Sequence, residues 1–596
     1  MRTHHDMPFG ADVTPQGVRF ALYAPTANSV DVALGGDKFL PMTRDAEGVY
    51  TLTASDVVAG ARYRFRIDGD LLVPDPASRA QPDGINADGR VVDSRSYAWQ
   101  TREWRGRPWN EAAIYEAHVG TATAEGTFAA LAKKLPDLAA LGFTAIQLMP
   151  IADCPGERNW GYDGVLLYAP NAAYGTPDDL RAFIDAAHGL GLMVFLDVVY
   201  NHFGPSGNYL HSYAKTFFTE RHPTPWGAGI NVDGETAKNV RAFFVHNALY
   251  WIEEFQFDGL RFDAVHAIQD DSKPHILAEI ATQIRTRAGD RHVHLILENE
   301  HNSAKWLERD DSNKPRFYTA QWNDDIHHCL HTLLTGETDS YYSDFADDPV
   351  RRLTRALAEG FVYQGEESPN LKRTRGEPSA HLPPAALVSF LQNHDQVGNR
   401  AFGDRISALA SPEKVAFAHQ ILLLAPQVPM FFMGEEWGTE QPFLFFVDFA
   451  SDPELSKAVR EGRRKEFARF AAYSDPERVP DPTADDTFQQ SKLVWNERGR
   501  PGHADALERT RALLKVRQTE IAPLLGSRFL GATASGAPKL IDVTWRFERG
   551  DLRLIANPTD EAQTMHVDEG WRAIHGNSAS LGPWSSFAAV RSPRGA

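Results

Sequence analysis

Cysteine is scarce in this sequence of 596 residues. Only Cys154 and Cys329 are present, and neither belongs to a CxxC pair or to a cluster spaced like metal ligands. A zinc site is therefore not expected, and two cysteines cannot supply the disulfide framework of many secreted proteins. The opening segment MRTHHDMPFGAD lacks the apolar core of a signal peptide. Together these features favour a cytoplasmic protein.

Long hydrophobic runs and an excess of basic residues are also absent. The most apolar long window, Val415–Met433, contains His419, Gln420, Pro426 and Pro429, which predicts a buried helix and then a strand. Asp and Glu number 79 against 61 Lys and Arg, which gives a formal net charge of -18. We therefore expect neither nucleic acid nor a membrane as partner. A neutral substrate such as a sugar fits better, although the charge can equally serve solubility.

Apolar and polar residues alternate at both ends of the chain, as they do in half-buried β-strands. Short alternating segments separated by Gly- and Asp-containing turns predict a β-sandwich over residues 1–107. The same pattern returns near residue 527 and predicts a small β-domain over residues 527–596. The clearest alternating segments are Val18–Tyr23, Val30–Leu34, Tyr50–Thr53, Tyr63–Asp68, Leu540–Phe547 and Leu552–Ile555.

Residues 108–526 show a different pattern, in which apolar strand-like runs alternate with longer helix-like stretches such as Pro177–Leu190 and Thr236–Phe255. This pattern predicts an α/β fold, a (β/α)8 barrel with insertions, whose last helix is Leu507–Leu525. The polar stretch Gly365–His381 is predicted to be a surface loop. The eight predicted strands are Ile114–Val119, Ala145–Met149, Met193–Tyr200, Gly259–Asp263, Val293–Glu298, Thr319–Asn323, Ala386–Gln392 and Val428–Met433.

Charged residues lie at the ends of four of these strands, in the segments DVVYNH at 197–202, GLRFD at 259–263, ENE at 298–300 and QNHD at 392–395. A single carboxylate after a strand is usually a helix cap or a loop charge. In a (β/α)8 barrel, however, catalytic residues lie at the carboxyl ends of the strands. Four such segments in one barrel therefore indicate an active site.

Paired carboxylates in such a site can break a glycosidic bond, because one can protonate the departing oxygen while the other attacks the sugar. Arg261 and Asp263 lie two residues apart on a strand, so both point to one side, and the guanidinium favours an ionised nucleophile. Glu298 follows the apolar run Leu295–Leu297, where partial burial would favour the protonated acid. Glu300 lies further along, where the chain should already enter the loop, so Glu298 is the expected acid/base.

These segments resemble the signature regions of the α-amylase family of glycoside hydrolases. The resemblance implies that Asp263 is the nucleophile, Glu298 the acid/base and Asp395 the residue that stabilises the transition state. The WGYD segment at 160–163 resembles a family motif whose tyrosine stacks under the sugar. Trp226 and Glu435 could line the glucan groove, although loop tryptophans are as often packing residues. The remaining residues that the resemblance assigns to substrate binding are Tyr162, Asp197, His202, Arg261 and His394.

Several loops are similar to those of family members that cleave the α-1,4 bond next to the terminal trehalose unit of maltooligosyltrehalose. The resemblance implies that trehalose is released. A branching or debranching enzyme of the same family is the alternative, and a non-catalytic glucan-binding scaffold is a more distant one. Asn201 lies where some members bind calcium, but no partner loop of carboxylates is evident, so neither metal nor cofactor is expected. The loops are YEAHVG at 115–120, FGPSGNY at 203–209, WNDDIHH at 322–328 and QNHDQVGNR at 392–400.

Overall fold

The computed structural model describes residues 2–224, 227–467, 478–535 and 539–593. Its centre is a closed barrel of eight parallel strands, preceded by antiparallel β-sheets and followed by a five-stranded antiparallel sheet. The predicted fold class, a (β/α)8 barrel with β-domains at both ends, is confirmed. The domain limits at residues 107/108 and 526/527 stay predictions.

The N-terminal region is a sandwich of two antiparallel sheets. Alternate residues of the strand Arg62–Ile67 are buried, which is the pattern of a strand with one face on a core. Phe20 from one sheet meets Tyr63 from the other with ring centroids 5.0 Å apart. The strands β1–β9 are Gly10–Thr14, Gly17–Tyr23, Val30–Leu34, Lys38–Pro41, Thr43–Arg44, Val49–Ala54, Arg62–Ile67, Leu71–Val73 and Gly89–Arg90.

The barrel strands pair in chain order, and the last closes against the first with Met430 opposite Ile114. Their residues are buried because side chains fill the barrel interior on one face and meet the surrounding helices on the other. All eight predicted strands are present, each of them shorter than predicted. The strands β10–β17 are Ile114–Ala117, Ala145–Leu148, Met193–Val198, Gly259–Phe262, His294–Leu297, Ala320–Trp322, Leu387–Phe390 and Val428–Phe432.

Helices surround the barrel, and none in the described part of the chain is long and apolar enough to cross a membrane. Between β14 and β15 the described structure has only the short 3-10 helix Ala304–Leu307, so this connection is mostly loop. The predicted last helix starts earlier, at Pro501, and continues through the π-helical turn Arg517–Ile521 to Leu525. The longer helices, α1–α9, are Leu135–Leu141, Pro177–Gly189, Ala237–Glu254, Ile276–Ala288, Asp324–Thr335, Pro349–Glu359, Pro412–Leu424, Pro453–Phe467 and Pro501–Val516.

Shorter elements fill the connections. Two-stranded pairs form between Ala152–Asp153 and Leu166–Pro170, and between Phe218–Thr224 and Gly227–Ile230. The short helices are Val119–Ala122, Phe128–Ala132, Leu210–Tyr213, His394–Gly398, Ile406–Leu409, Asp485–Gln490 and Ala522–Leu525.

The C-terminal sheet packs on the barrel helices through the buried face of its strands. Trp545 is fully buried, and its indole N–H donates to the backbone oxygen of Leu357 in α6 at 2.9 Å. The sheet is therefore fixed to the barrel by a specific polar contact within an apolar interface. Its strands β18–β22 are Phe529–Ala534, Ile541–Phe547, Gly550–Asn557, Arg572–His575 and Ser585–Arg591.

Gly259 allows β13 to lie close to β14, so we expect Gly259→Ala to destabilise the barrel. An added Cβ would lie 2.1 Å from the backbone oxygen of His294, which cannot move without displacing the strand. The expected loss is about 1–3 kcal/mol or more, measured by urea denaturation. Gly502→Ala in α9 is the control, because its Cβ would meet no atom within 4 Å. Equal denaturation midpoints for Gly259→Ala and wild type would contradict this account.

Candidate active site

The predicted catalytic residues converge at the carboxyl end of the barrel. Asp197 is the penultimate residue of β12, Asp263 directly follows β13 and Glu298 directly follows β14. Asp395 is the second residue of the short helix after β16. Parallel neighbouring strands end at one rim of the barrel, so residues far apart in sequence meet there.

Arg261 is the centre of this cluster, and its side chain is only 1 % exposed. Its Nη1 donates to Asp197 Oδ2 at 2.6 Å and to Asp263 Oδ1 at 2.9 Å. Its Nη2 lies 2.8 Å from Glu298 Oε2. The guanidinium also lies 4.0 Å above the ring of Trp322 in β15. One buried cation therefore holds three carboxyl groups from adjacent strands.

Asn201 is a second hydrogen-bond partner of Asp263. The Asn201 amide donates to Asp263 Oδ2 at 2.9 Å and to its backbone oxygen at 2.9 Å. With Arg261 on Oδ1, both oxygens of the carboxylate are engaged, which fixes the orientation of the group. Asn201, considered earlier only as a calcium ligand, thus orients the predicted nucleophile.

Glu298 is held by a main-chain donor as well as by Arg261. The backbone N–H of Ala264 donates to Glu298 Oε2 at 2.8 Å. Ala264 has a left-handed backbone conformation with φ 39°, which is uncommon for a residue with a side chain. Burial raises the pKa of Glu298, and the Arg261 cation opposes this effect without cancelling it. A carboxyl group with a raised pKa suits proton donation.

Glu300 lies in a more open position than Glu298. Its side chain is 41 % exposed, against 23 % for Glu298. Its nearest basic side chains are His266 and Arg373, each 3.7 Å away. Among the described residues Arg261 forms no ion pair with Glu300, which belongs to the rim of the site.

The aromatic side of the site consists of Tyr162 and His394. Their rings stack with centroids 5.1 Å apart and an interplanar angle of 23°. The Tyr162 hydroxyl donates to Asp197 Oδ2 at 2.8 Å. His202 contacts the backbone oxygen of Tyr162 through Nε2 at 3.0 Å. The partly exposed ring of Tyr162 has the position and the rigidity of a stacking platform.

A cavity of about 680 Å³ opens beside Glu298 and Asp395. Its far wall includes residues that sequence reasoning did not assign: Asp324, His328, Tyr341, Asn370 and Arg375. The polar stretch Gly365–His381 was predicted to be a surface loop, but it contains the paired strands Glu367–Ser368 and Arg373–Thr374.

Arg375, in that stretch, is only 8 % exposed and lies 3.0 Å from Asp325. This stretch therefore shapes the site, because its basic residue pairs with a buried carboxylate.

Asp324 faces this cavity from the first turn of α5. Its side chain makes no hydrogen bond or ion pair with any of the described residues. Burial, together with the nearby Glu298, raises the pKa of Asp324 to about 8. The motif WNDDIHH was noted in the sequence, but its spacing gave no reason to select this aspartate. An unpartnered carboxyl beside Glu298 is suited to bind hydroxyl groups.

Trp226 and Glu435 were the two residues expected to line the glucan groove. Trp226 lies outside the described residues. Glu435 is 2 % exposed and lies behind the barrel wall, where it accepts from the backbone N–H of Phe432 at 3.2 Å and pairs with His419 at 3.0 Å. Its carboxylate does not line the cavity beside Glu298. The prediction that Glu435 faces the glucan groove is therefore corrected.

In the described part of the chain, His222, Asp233 and Asp271 are close enough to bind one metal ion together. The guanidinium of Arg221 lies 3.3 Å from Asp233 and 3.5 Å from Asp271. None of the three potential ligands lines the catalytic cavity. The Arg221 cation already compensates the charge of these carboxylates, so the cluster has little electrostatic attraction left for a metal ion.

Comparison with known proteins gives three family matches along the chain. Residues 86–248 match the alpha amylase catalytic domain, and residues 8–77 match carbohydrate-binding module 48, the isoamylase N-terminal domain. Residues 527–593 match a domain of unknown function, DUF3459. The order of these matches follows the order of the sandwich, barrel and C-terminal sheet.

Relatives match over most of the chain. Malto-oligosyltrehalose trehalohydrolase from Saccharolobus solfataricus is 41 % identical over 86 % of this chain and 87 % of its own length. The enzyme of that name from Deinococcus radiodurans is 42 % identical over 96 % of this chain and 92 % of its own.

Solved structures agree on the architecture. A crystal structure from Salmonella typhimurium that carries the description alpha amylase has 46 % identity, a TM-score of 0.93 and coverage of 98 % of this chain and 99 % of its own. A pullulanase complexed with maltotetraose from Anoxybacillus sp. LM18-11 has 18 % identity and a TM-score of 0.69, over 99 % of this chain and 88 % of its own, and shares the fold. The chain therefore belongs to the malto-oligosyltrehalose trehalohydrolase family of α-amylase-type glycoside hydrolases.

Proposed function

We propose that this enzyme hydrolyses the α-1,4 bond next to the terminal trehalose unit of maltooligosyltrehalose and retains the anomeric configuration. The observation that carries the chemistry is the buried Arg261, which joins Asp263 and Glu298 through its two terminal nitrogens. Retaining glycosidases use two carboxyl groups placed close together in this way. The names of relatives about 40 % identical support the substrate.

The reaction takes place in two steps. Asp263 Oδ attacks the anomeric carbon while the bond to the departing oxygen breaks, and that oxygen takes the proton of Glu298. The resulting Glu298 carboxylate then removes a proton from water, whose oxygen attacks the anomeric carbon and releases Asp263. The protein returns to its starting state with one glycosidic bond hydrolysed and no net proton change.

The position of the cavity supports trehalose as the leaving group. The acid/base must face the departing oxygen, so the space beside Glu298 is the side on which the leaving group binds. A cavity of about 680 Å³ lies there, within the usual range of small-molecule sites. Asp324 and Arg375 supply polar groups to its wall. Such a limited site favours a compact terminal disaccharide over a long continuing chain.

Asp263→Asn should remain folded and lose activity by ~10³-fold or more, because the amide keeps the shape of the side chain but not the nucleophile. Proton NMR of the first product from wild type should show the α-anomer of the shortened oligosaccharide. An initial β-anomer would contradict the retaining mechanism. Thermal melting of the variant near that of wild type serves as the folding control.

Maltopentaosyltrehalose should be cleaved faster than plain maltoheptaose, which has the same number of glucose units, because only the former presents trehalose to the cavity. We expect a kcat/KM ratio on the order of 10²-fold, the effect of a few well-placed polar contacts. Chromatography should detect trehalose as the small product. Equal rates for the two substrates would indicate general α-amylase activity instead.

Glu298→Gln should nearly abolish hydrolysis of the oligosaccharide and retain much more activity on a glycosyl fluoride, because fluoride departs with little protonation. Glu300→Gln is the matched control two residues away. It should lower both activities by a similar, smaller factor, since its side chain lies at the exposed rim. If Glu300→Gln shows the dependence on the leaving group instead, the acid/base has been assigned to the wrong glutamate.

A further inference from the structure

Glu116 is a fully buried carboxylate in β10, beneath the site described above. Both of its oxygens contact one residue, His394. Oε2 accepts the backbone N–H of His394 at 2.9 Å, and Oε1 lies 2.8 Å from its Nδ1. We propose that Glu116 is a positioning residue that holds His394 as a doubly protonated imidazolium beside the bond that is cut. The proposal rests on the function assigned above to this site.

The hydrogen bonds around His394 account for both ring protons. A carboxylate oxygen only accepts, so Nδ1 must carry a proton and donate it to Glu116. On the other side, Nε2 lies 2.8 Å from the Tyr162 hydroxyl, whose single proton is donated to Asp197 Oδ2. That same Oδ2 accepts from Arg261 at 2.6 Å, so it acts as an acceptor toward both neighbours. The Tyr162 oxygen must therefore accept from Nε2, which requires a second ring proton.

The charges around His394 agree with this assignment. Burial acts to lower the pKa of His394, but the charge and the hydrogen bond of Glu116 outweigh it, so the pKa is raised. Asp395 acts in the same direction and Arg261 in the opposite one. The titratable groups facing the ring from the surrounding elements are Glu116, His118, Tyr162, Asp197, Arg261 and Asp395.

The imidazolium acts in turn on Asp395, the next residue in the chain. Burial raises the pKa of Asp395, and the charge of His394 is the first influence that opposes this effect. A cation at His394 therefore favours an ionised Asp395 at lower pH. Glu116 reaches the reacting sugar only through His394, which distinguishes a positioning residue from a catalytic one. Glu116 is the charged residue of a buried strand whose other members are Ile114, Tyr115 and Ala117.

Glu116→Gln tests the proposal, because it keeps the size of the side chain and removes its charge. With Glu116 neutral, His394 loses its proton more easily. Loss of that cation raises the pKa of Asp395 by more than the loss of the smaller, opposing charge of Glu116 lowers it, so Asp395 ionises only at higher pH. The acidic limb of the kcat/KM profile should move up by about one pH unit or more, which lowers kcat/KM about ten-fold below that limb. α-Maltosyl fluoride is the substrate, so the assay does not depend on recognition of trehalose. An unmoved acidic limb in a variant with wild-type melting temperature would overturn the proposal.

Glu436→Gln is the matched control. Glu436 is also a buried glutamate near the rim of the barrel, but burial raises its pKa to about 8, so this change removes little charge at neutral pH. Its carboxyl group does not line the catalytic cavity. We expect its acidic limb to coincide with that of wild type. An equal shift in both variants would indicate a general effect of altered packing and contradict a specific role for Glu116.

Nitrogen NMR of histidine-labelled wild-type enzyme gives a second measurement that needs neither substrate nor a folded Glu116 variant. His394→Gln identifies the signals of His394 by their loss. At pH 7, above the ordinary histidine pKa of about 6.5, both ring nitrogens should show imidazolium shifts. A neutral ring at pH 7 would exclude the proposal even if the substrate assignment is correct. An imidazolium in an enzyme that releases no trehalose would instead contradict only the proposed function.

Discussion

The buried guanidinium of Arg261 is the interaction on which the site depends. A charge so far from water is tolerated only when it is paired and hydrogen-bonded, and Arg261 meets Asp197, Asp263 and Glu298. Those partners come from consecutive strands of the barrel. The cation therefore fixes the relative position of Asp263 and Glu298, and it offsets the repulsion between carboxylates that would otherwise lie together.

The carboxyl groups of the site differ in protonation because they differ in burial and partners. Burial raises the pKa of Asp197 to about 7, against the opposing effect of Arg261. Burial and Glu298 raise the pKa of Asp324 to about 8. Burial raises the pKa of Glu298 as well, although Arg261 and the N–H of Ala264 stabilise its anion. One compact site can therefore contain both proton donors and acceptors at neutral pH.

The segments that follow the later barrel strands form much of the wall of the cavity beside Glu298. The hairpin at 367–374 and the start of α5 line the cavity on the side of Glu298. Arg375 also lines this cavity, and its ion pair with the buried Asp325 holds it in place. The carboxyl groups that we propose to break the bond lie on the barrel strands or directly after them. Proteins that share this fold can therefore differ in substrate, because loops tolerate substitution whereas a buried cluster of charged residues does not.

The sequence by itself determined the barrel and its catalytic core. Apolar strands at regular intervals predict parallel pairing, and parallel pairing brings their carboxyl ends to one rim, so Asp197, Asp263 and Glu298 could be expected to meet. The alternating pattern likewise predicted the flanking β-regions. Each of these inferences depends on local periodicity and on one topological rule.

Contacts between distant segments were decided only by the tertiary structure. Nothing in the sequence near Asn201 shows that its amide binds Asp263, and nothing near Glu116 shows that it meets His394, 278 residues later. Glu435 follows a strand just as Glu298 does, yet the chain turns its side chain to His419, behind the barrel wall. The charged residues in loops such as Gly365–His381 have no periodicity that would indicate a partner. Which polar groups are buried, and against which neighbours, depends on how the insertions pack, and that information is not local in the chain.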